Sequence, residues 1–109
     1  MLMVSEVEWS NAECKIAHKA LETAFQRESD MMVNLIREQS GEISCLDDLW
    51  KLHDFLSARR HDIDGKYDDS QSMFVFVFAR LIKEGWLTLD ELDGLDRAKV
   101  SKVSLMTRM

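Results

Sequence analysis

Chemistry-bearing side chains are concentrated between positions 47 and 69: Asp47, Asp48, Lys51, His53, Asp54, Arg59, Arg60, His61, Asp62, Asp64, Lys66, Asp68 and Asp69. Such a cluster allows acid–base catalysis, metal binding or a solvated helix face. For catalysis it lacks parts. His53 and Asp54 are chain neighbours, which project about 100° apart on a helix, so Asp54 is not placed to orient His53 as a triad carboxylate would. No Ser or Cys nucleophile stands at an obvious turn. Asp62-Ile63-Asp64-Gly65 resembles the opening of a calcium loop, but its glycine comes too early and Met73 occupies the position of the bidentate Glu. His53 and His61 miss the i, i+4 spacing of helical zinc motifs. Most of these charges therefore read as a solvated helix face, with pairs such as Asp47 and Lys51 worth about 0.3–0.5 kcal/mol each when exposed.

Trp50, His53, Asp54 and Arg60 stand apart, because a Trp beside Arg and His has the composition of a protein-binding hot spot. Trp50 taken alone reads as a core residue. In the run Met73-Phe74-Val75-Phe76-Val77-Phe78, a helix must bring one of its three phenylalanines toward the surface; if that is Phe76, it marks a contact site. Lys99 and Lys102, with Arg97, form a basic cluster too small for counterion-driven DNA binding and better suited to the polar rim of a protein interface.

The elements that must position these residues are helical. The chain has 109 residues with Pro 0 and Gly 4, a composition that lacks the turn residues of sandwiches, barrels and phosphate-cradling loops. Ser10 and Glu13 form a capping box, with Trp9 placed to staple onto Cys14. Cys14, Ala17, Leu21, Ala24, Glu28, Met31 and Leu35 then recur at spacings of three and four, flanked by Phe25, Met32 and Ile36, which predicts a helix ending near Ser40 with Gly41 as its stop. A helix of roughly 30 residues spans roughly 45 Å, so its exposed stripe calls for a partner helix, and a dimer is the economical answer. Ser44 and Asp47 predict the start of a second helix, with Leu46, Leu49, Trp50, Leu52, His53, Phe55 and Leu56 as its apolar side and an end before Gly65. The short link makes the two helices antiparallel.

The 73–78 run also has strand propensity, yet Asp68 with Gln71 reads as a helix start and Ala79, Leu81 and Ile82 continue the pattern as far as Gly85. Thr88 with Glu91 starts a short helix stopped by Gly94, and Asp96, stapled by Leu95 and Val100, starts the last one. The expectation is a single all-α domain over 1–109: a loosely held segment 1–8, a long antiparallel helical pair over 10–64 forming a dimeric bundle, and a compact helical head over 68–109.

Lys plus Arg is 14 and Asp plus Glu is 20, for a net charge of −6, which argues against broad capture of nucleic acid or anionic lipid. Cys14 and Cys45 are too few for a disulfide framework and read as small buried thiols in a reducing interior. No stretch approaches the roughly 20 apolar residues of a membrane span, and no export signal opens the chain.

The run Asp47-Asp48-Leu49-Trp50-Lys51-Leu52-His53-Asp54-Phe55-Leu56-Ser57-Ala58, continued by Arg60-His61 and Ile63-Asp64-Gly65-Lys66-Tyr67-Asp68-Asp69, closely resembles the cyanobacterial fluorescence recovery protein family. Trp9-Ser10, Ala12-Glu13, Gln26-Arg27-Glu28, Phe76-Val77-Phe78-Ala79, Leu89-Asp90-Glu91-Leu92 and Ser101-Lys102 extend the likeness over nearly the whole chain. The resemblance implies an all-helical, dimeric, non-enzymatic protein without a cofactor. It implies binding to the C-terminal domain of the red form of the orange carotenoid protein and faster return of that protein to its orange form. Detachment from the phycobilisome and the end of energy quenching would follow, in the cytoplasm and at the thylakoid surface. Carried over by position, Trp50, His53, Asp54 and Arg60 match the family's contact surface near the dimer seam, and Phe76 and Lys102 match its head contacts. Val33, Leu49, Trp50 and His53 are expected at the dimer seam. A small acidic adaptor or a transcription-type regulator, with a helix-turn-helix over 70–102, is the alternative, and an enzyme using His53 and Arg60 comes third.

Overall fold

The computed structural model describes residues 8–109, and over them the chain is all-helical. The long helices are α1 (Asn11–Ser40), α2 (Leu46–Lys66), α3 (Phe74–Lys83) and α4 (Arg97–Met106), with short 3-10 turns at Gln71–Met73 and Leu89–Leu92. The strand reading of 73–78 is not realised. Of the segment 1–8 expected to be loosely held, residues 1–7 lie outside the described range, and the Glu8 carbonyl accepts a bond from Lys99 Nζ at 2.6 Å.

α1 starts at its capping box: Ser10 Oγ accepts from the Glu13 N–H and Glu13 Oε1 accepts from the Ser10 N–H, both at 3.1 Å. Its first half buries Ala17, Ala20, Leu21 and Ala24 against the head. There Phe74, Phe78, Leu81, Leu92 and Val103 are fully buried, and the Trp9 ring meets Phe74 edge-on at 4.9 Å. Each such side chain contributes about 1.5–3 kcal/mol on leaving water, so the head holds the folding energy.

Beyond Ala24 the apolar burial stops. α1 and α2 run antiparallel, with Glu28 facing Arg59 and Lys66 near the head and Leu35 and Ile43 sharing a groove with Leu52 and Phe55 toward the far end. The only buried residue of α2 is Lys66. The molecule is accordingly elongated, 60 × 27 × 26 Å. Among the described residues no helix is long and apolar enough to cross a membrane.

Several local expectations need correction. α2 begins one residue later than Ser44 as cap would require, with Cys45 at the N-cap. The third helical position is therefore Asp48 rather than Asp47, and Asp48 Oδ2 accepts from the Ser44 N–H at 3.2 Å and Ser44 Oγ at 3.1 Å. The far end of α2 continues through Gly65 to Lys66, because the Lys66 ammonium is bonded inside the protein. α3 does not start from Asp68 and Gln71: Asp68 Oδ1 accepts from the Ser70 N–H at 2.8 Å and Ser70 Oγ at 2.7 Å, a local turn that competes with helix. Gly41 ends α1 in right-handed geometry (φ −71°), whereas Gly85 (φ 87°) and Gly94 (φ 103°) use the left-handed region that favours glycine. Thr88 and Glu91 do form their capping box, around a 3-10 turn. Asp96 precedes α4 without a side-chain cap; its N–H instead donates to Glu13 Oε2 at 2.8 Å. Of the cysteines read as buried, Cys14 is half-buried and Cys45 is exposed at the turn farthest from the head.

Candidate functional site

The outer side of α2 carries large apolar groups with nothing over them. Leu49, Trp50 and Leu56 are 43%, 52% and 36% exposed, and Val33 on α1 is 51% exposed. The reading of Trp50 as core is therefore wrong for the single chain, because α2 has no second layer of protein on that side. Leu49, His53, Leu56 and Arg60 recur at spacings of four, three and four, which puts them along one face of α2.

Trp50 and His53 meet edge-on at 6.1 Å between ring centroids. His53 Nδ1 lies 3.3 Å from Asp54 Oδ1, so the two neighbours touch although their Cα–Cβ bonds project about 100° apart. Both side chains are solvent-exposed and free to curl across the angle between their Cα–Cβ bonds. The contact is local and carries no nucleophile with it. Arg60 is open, its Nε 3.7 Å from Asp64 Oδ2, and the Lys51 to Asp47 pair sits at 3.1 Å on the exposed face. Among the described residues no group of three or more His, Cys, Asp or Glu side chains is gathered to hold a metal.

Phe76 and Lys102 lie in the head, on α3 and α4. Phe76 is 50% exposed while Phe74 and Phe78 are fully buried, so Phe76 is the member of the run that reaches the surface. Lys102 is exposed. Lys99 does not join it as a rim charge: it is buried, its Nζ donates to Glu13 Oε1 and the Glu8 carbonyl, both at 2.6 Å, and it lies 4.6 Å from the Trp9 ring centroid. The basic trio thus loses its middle charge, which weakens the helix-turn-helix alternative further. Glu13, bonded by Lys99 and by the Asp96 and Ser10 N–H groups, is held at about 2 against an ordinary 4.5. Glu91, gripped by Arg27 through two 2.7 Å bonds, is likewise held at about 2.

A second polar cluster was not anticipated as a unit. Glu28 is 1% exposed and accepts from Arg59 Nη2 and Lys66 Nζ at 2.8 Å and from Tyr67 Oη at 2.7 Å. Lys66 also donates to Glu84 at 2.7 Å, and Arg80 bonds Glu84 at 2.9 Å and Asp62 at 2.6 Å. Burial, and then the bond to Glu28, push the Tyr67 hydroxyl up. Burial acts to raise Glu84, but its Lys66 and Arg80 partners prevail and hold it below the usual range. The sequence carried one sign of this cluster: Glu28 occupies a position of the α1 stripe otherwise given to apolar residues.

A family model described as "Photoprotection regulator fluorescence recovery protein" matches residues 9–107. The Fluorescence recovery protein of Synechocystis sp. (strain ATCC 27184 / PCC 6803 / Kazusa) is 50% identical over 109 residues, 100% of both chains. Among solved structures, the Fluorescence Recovery Protein of Fremyella diplosiphon superposes with a TM-score of 0.91 at 50% identity, covering 94% of this chain and 100% of that one. The protein from Synechocystis sp PCC 6803 superposes with a TM-score of 0.90, again at 50% identity, with the same coverage.

Proposed function

This chain belongs to the fluorescence recovery protein family of photoprotection regulators, and from that premise we propose that it binds the C-terminal domain of the red, photoactivated orange carotenoid protein and speeds its return to the orange form. The carotenoid protein then leaves the phycobilisome, quenching ends and antenna fluorescence recovers. The chain works as a binding protein without turnover or cofactor, in the cytoplasm and at the cytoplasmic face of the thylakoid membrane.

The observation that carries this reading is α2, a 21-residue helix whose only buried residue is a lysine and whose Leu49, Trp50 and Leu56 side chains are exposed to solvent. Such a surface is stable in water when a protein covers it. We assign Val33, Leu49, Trp50 and His53 to a seam with a second copy of the chain. Trp50, His53, Asp54 and Arg60 beside that seam, and Phe76 and Lys102 on the head, contact the carotenoid protein. Tight binding to the red form alone would slow recovery; acceleration requires that the route back be stabilised more than the red state itself. A scaffold meets that condition by gripping the C-terminal domain with one surface and favouring its re-docking onto the N-terminal domain with another.

The test is dark recovery of the red carotenoid protein, followed by absorbance with and without this chain. Acceleration at substoichiometric dimer is expected, with the effect reduced by Trp50→Ala or Arg60→Ala. An unchanged recovery rate overturns the reading.

A further inference from the structure

The ionic groups around Glu28 form a continuous chain of alternating charge through three helices, beginning and ending on α2. It leaves α2 at Arg59, passes through Glu28 of α1, returns to α2 at Lys66, crosses to Glu84 at the end of α3, and comes back through Arg80 to Asp62 of α2. Every link is between 2.6 and 2.9 Å. Three cations face three anions, so the set is self-neutralising.

These charges sit where α2 has only the open apolar groove of Leu52 and Phe55 against α1 to help define its rotation, since no apolar side chain of that helix is fully buried. Apolar contact is non-directional, whereas charge-assisted bonds hold distance and direction. Buried ion sets are poor stabilisers compared with apolar groups of the same volume, and replacing all members together is often neutral or stabilising. What the charges supply is geometry. Arg59 and Arg60 show the consequence: Arg59 turns inward to Glu28, and its neighbour Arg60 is left 85% exposed on the outer face. Turning α2 about its axis would move Trp50, His53 and Arg60 away from their present relation to Phe76 on the head.

We propose that Glu28 is a positioning residue, the centre of a latch that fixes α2 against the head so that the α2 surface and the head surface engage one protein partner together. This rests on the reading that both surfaces meet the carotenoid protein. Arg59 is the simplest link of the latch. It binds through Nη2, and its buried Nε has no hydrogen-bond partner among the described residues, so a lysine can take over its role.

The test uses the full chain with spin labels on Cys45 and on Asp93→Cys, Cys14 being replaced by Ala, diluted into excess unlabelled chain so that only distances within one chain are read. The unaltered latch gives a single narrow distance. Glu28→Gln broadens it, and so does the apolar replacement Glu28→Leu with Arg59→Leu and Lys66→Met, although that triple variant melts no lower than the parent. In the recovery assay the triple variant loses at least about tenfold of the acceleration, the scale lost when two linked contacts cease to act together, while Arg59→Lys keeps it. A narrow distance in the triple variant, or a broad one with undiminished acceleration, overturns the proposal. If the parent chain itself fails to accelerate recovery, the function proposed above falls, and the distance measurement still decides whether the latch fixes α2.

Discussion

The head and the arm of this molecule are built from similar helices but are held by different forces. In the head, α3 and α4 close over the first half of α1 around Phe74, Phe78, Leu81, Leu92 and Val103, all fully buried. Two carboxylates that began as local caps also tie distant elements there: Glu13 joins the start of α1 to α4, and Glu91 joins the 3-10 turn before α4 to Arg27. In the arm, from Phe25 to Lys66, the buried residues are Glu28 and Lys66, and neither is apolar. The head stores stability in its interior. The arm has few interior contacts of its own and presents its apolar groups outward, the arrangement expected of a surface meant for another protein.

Substitutions separate the two regions. The largest effect belongs to the head: Phe78→Ala, emptying a fully buried site, destabilises the chain by about 4 kcal/mol, read from denaturant unfolding. Lys66→Met removes the one cation shared by Glu28 and Glu84, and the charge left behind costs about 3 kcal/mol. If that loss proves as small as an exposed pair's, the arm is not anchored through its charges.

Acid sharpens the contrast. Glu13 is held at about 2 in the fold against 4.5 otherwise. A carboxylate depressed by folding stabilises above its unfolded value and loses that contribution as pH falls toward its folded one. Glu13→Gln is therefore expected to cost about 2 kcal/mol at neutral pH, the range of a bond to a charged group, with the difference from the parent shrinking between about pH 4.5 and 2. A penalty constant across that range, followed by circular dichroism, would show that the Lys99 bond does not govern the head's acid response.

Gly94→Ala is expected to cost about 1–2 kcal/mol, because the residue sits at φ 103° and a Cβ there meets Ile16 Cδ1 at 2.5 Å. The smallest stability effect falls on the arm. Trp50→Ala, at a site 52% exposed, shifts unfolding of the dilute chain by less than about 0.5 kcal/mol, while self-association and the acceleration of recovery both fall. A large loss of stability in the dilute chain would place Trp50 in a folding role and erase the distinction drawn here.

Local chemistry was readable without coordinates. The Ser10–Glu13 and Thr88–Glu91 boxes depend on residues three apart, and the helical identity of the Phe74–Phe78 run follows from its long apolar continuation and its lack of breakers. That one phenylalanine of this run would reach the surface was also foreseeable, since a short helix cannot bury all three; that it is Phe76 was decided by the packing. Other features were not readable, because they depend on what lies across from a residue. Lys99 looked like a surface charge until Glu13, Glu8 and Trp9 closed around it. Trp50 looked like core until α2 proved to have no layer above it. His53 and Asp54 came together because exposed side chains adjust more freely than backbone spacing suggests.

The sequence by itself determined the all-helical class, the α1 and α2 hairpin and the family, because periodicity, capping and motif are properties of residues near one another in the chain. Which charges are buried and which aromatics are bare was decided only by tertiary structure. Glu28 and Arg59 lie 31 residues apart, and Lys99 and Glu13 86 apart. The environment of each depends on how distant helices pack, so a glutamate in an apolar stripe becomes the centre of a polar joint only when two helices deliver its cations.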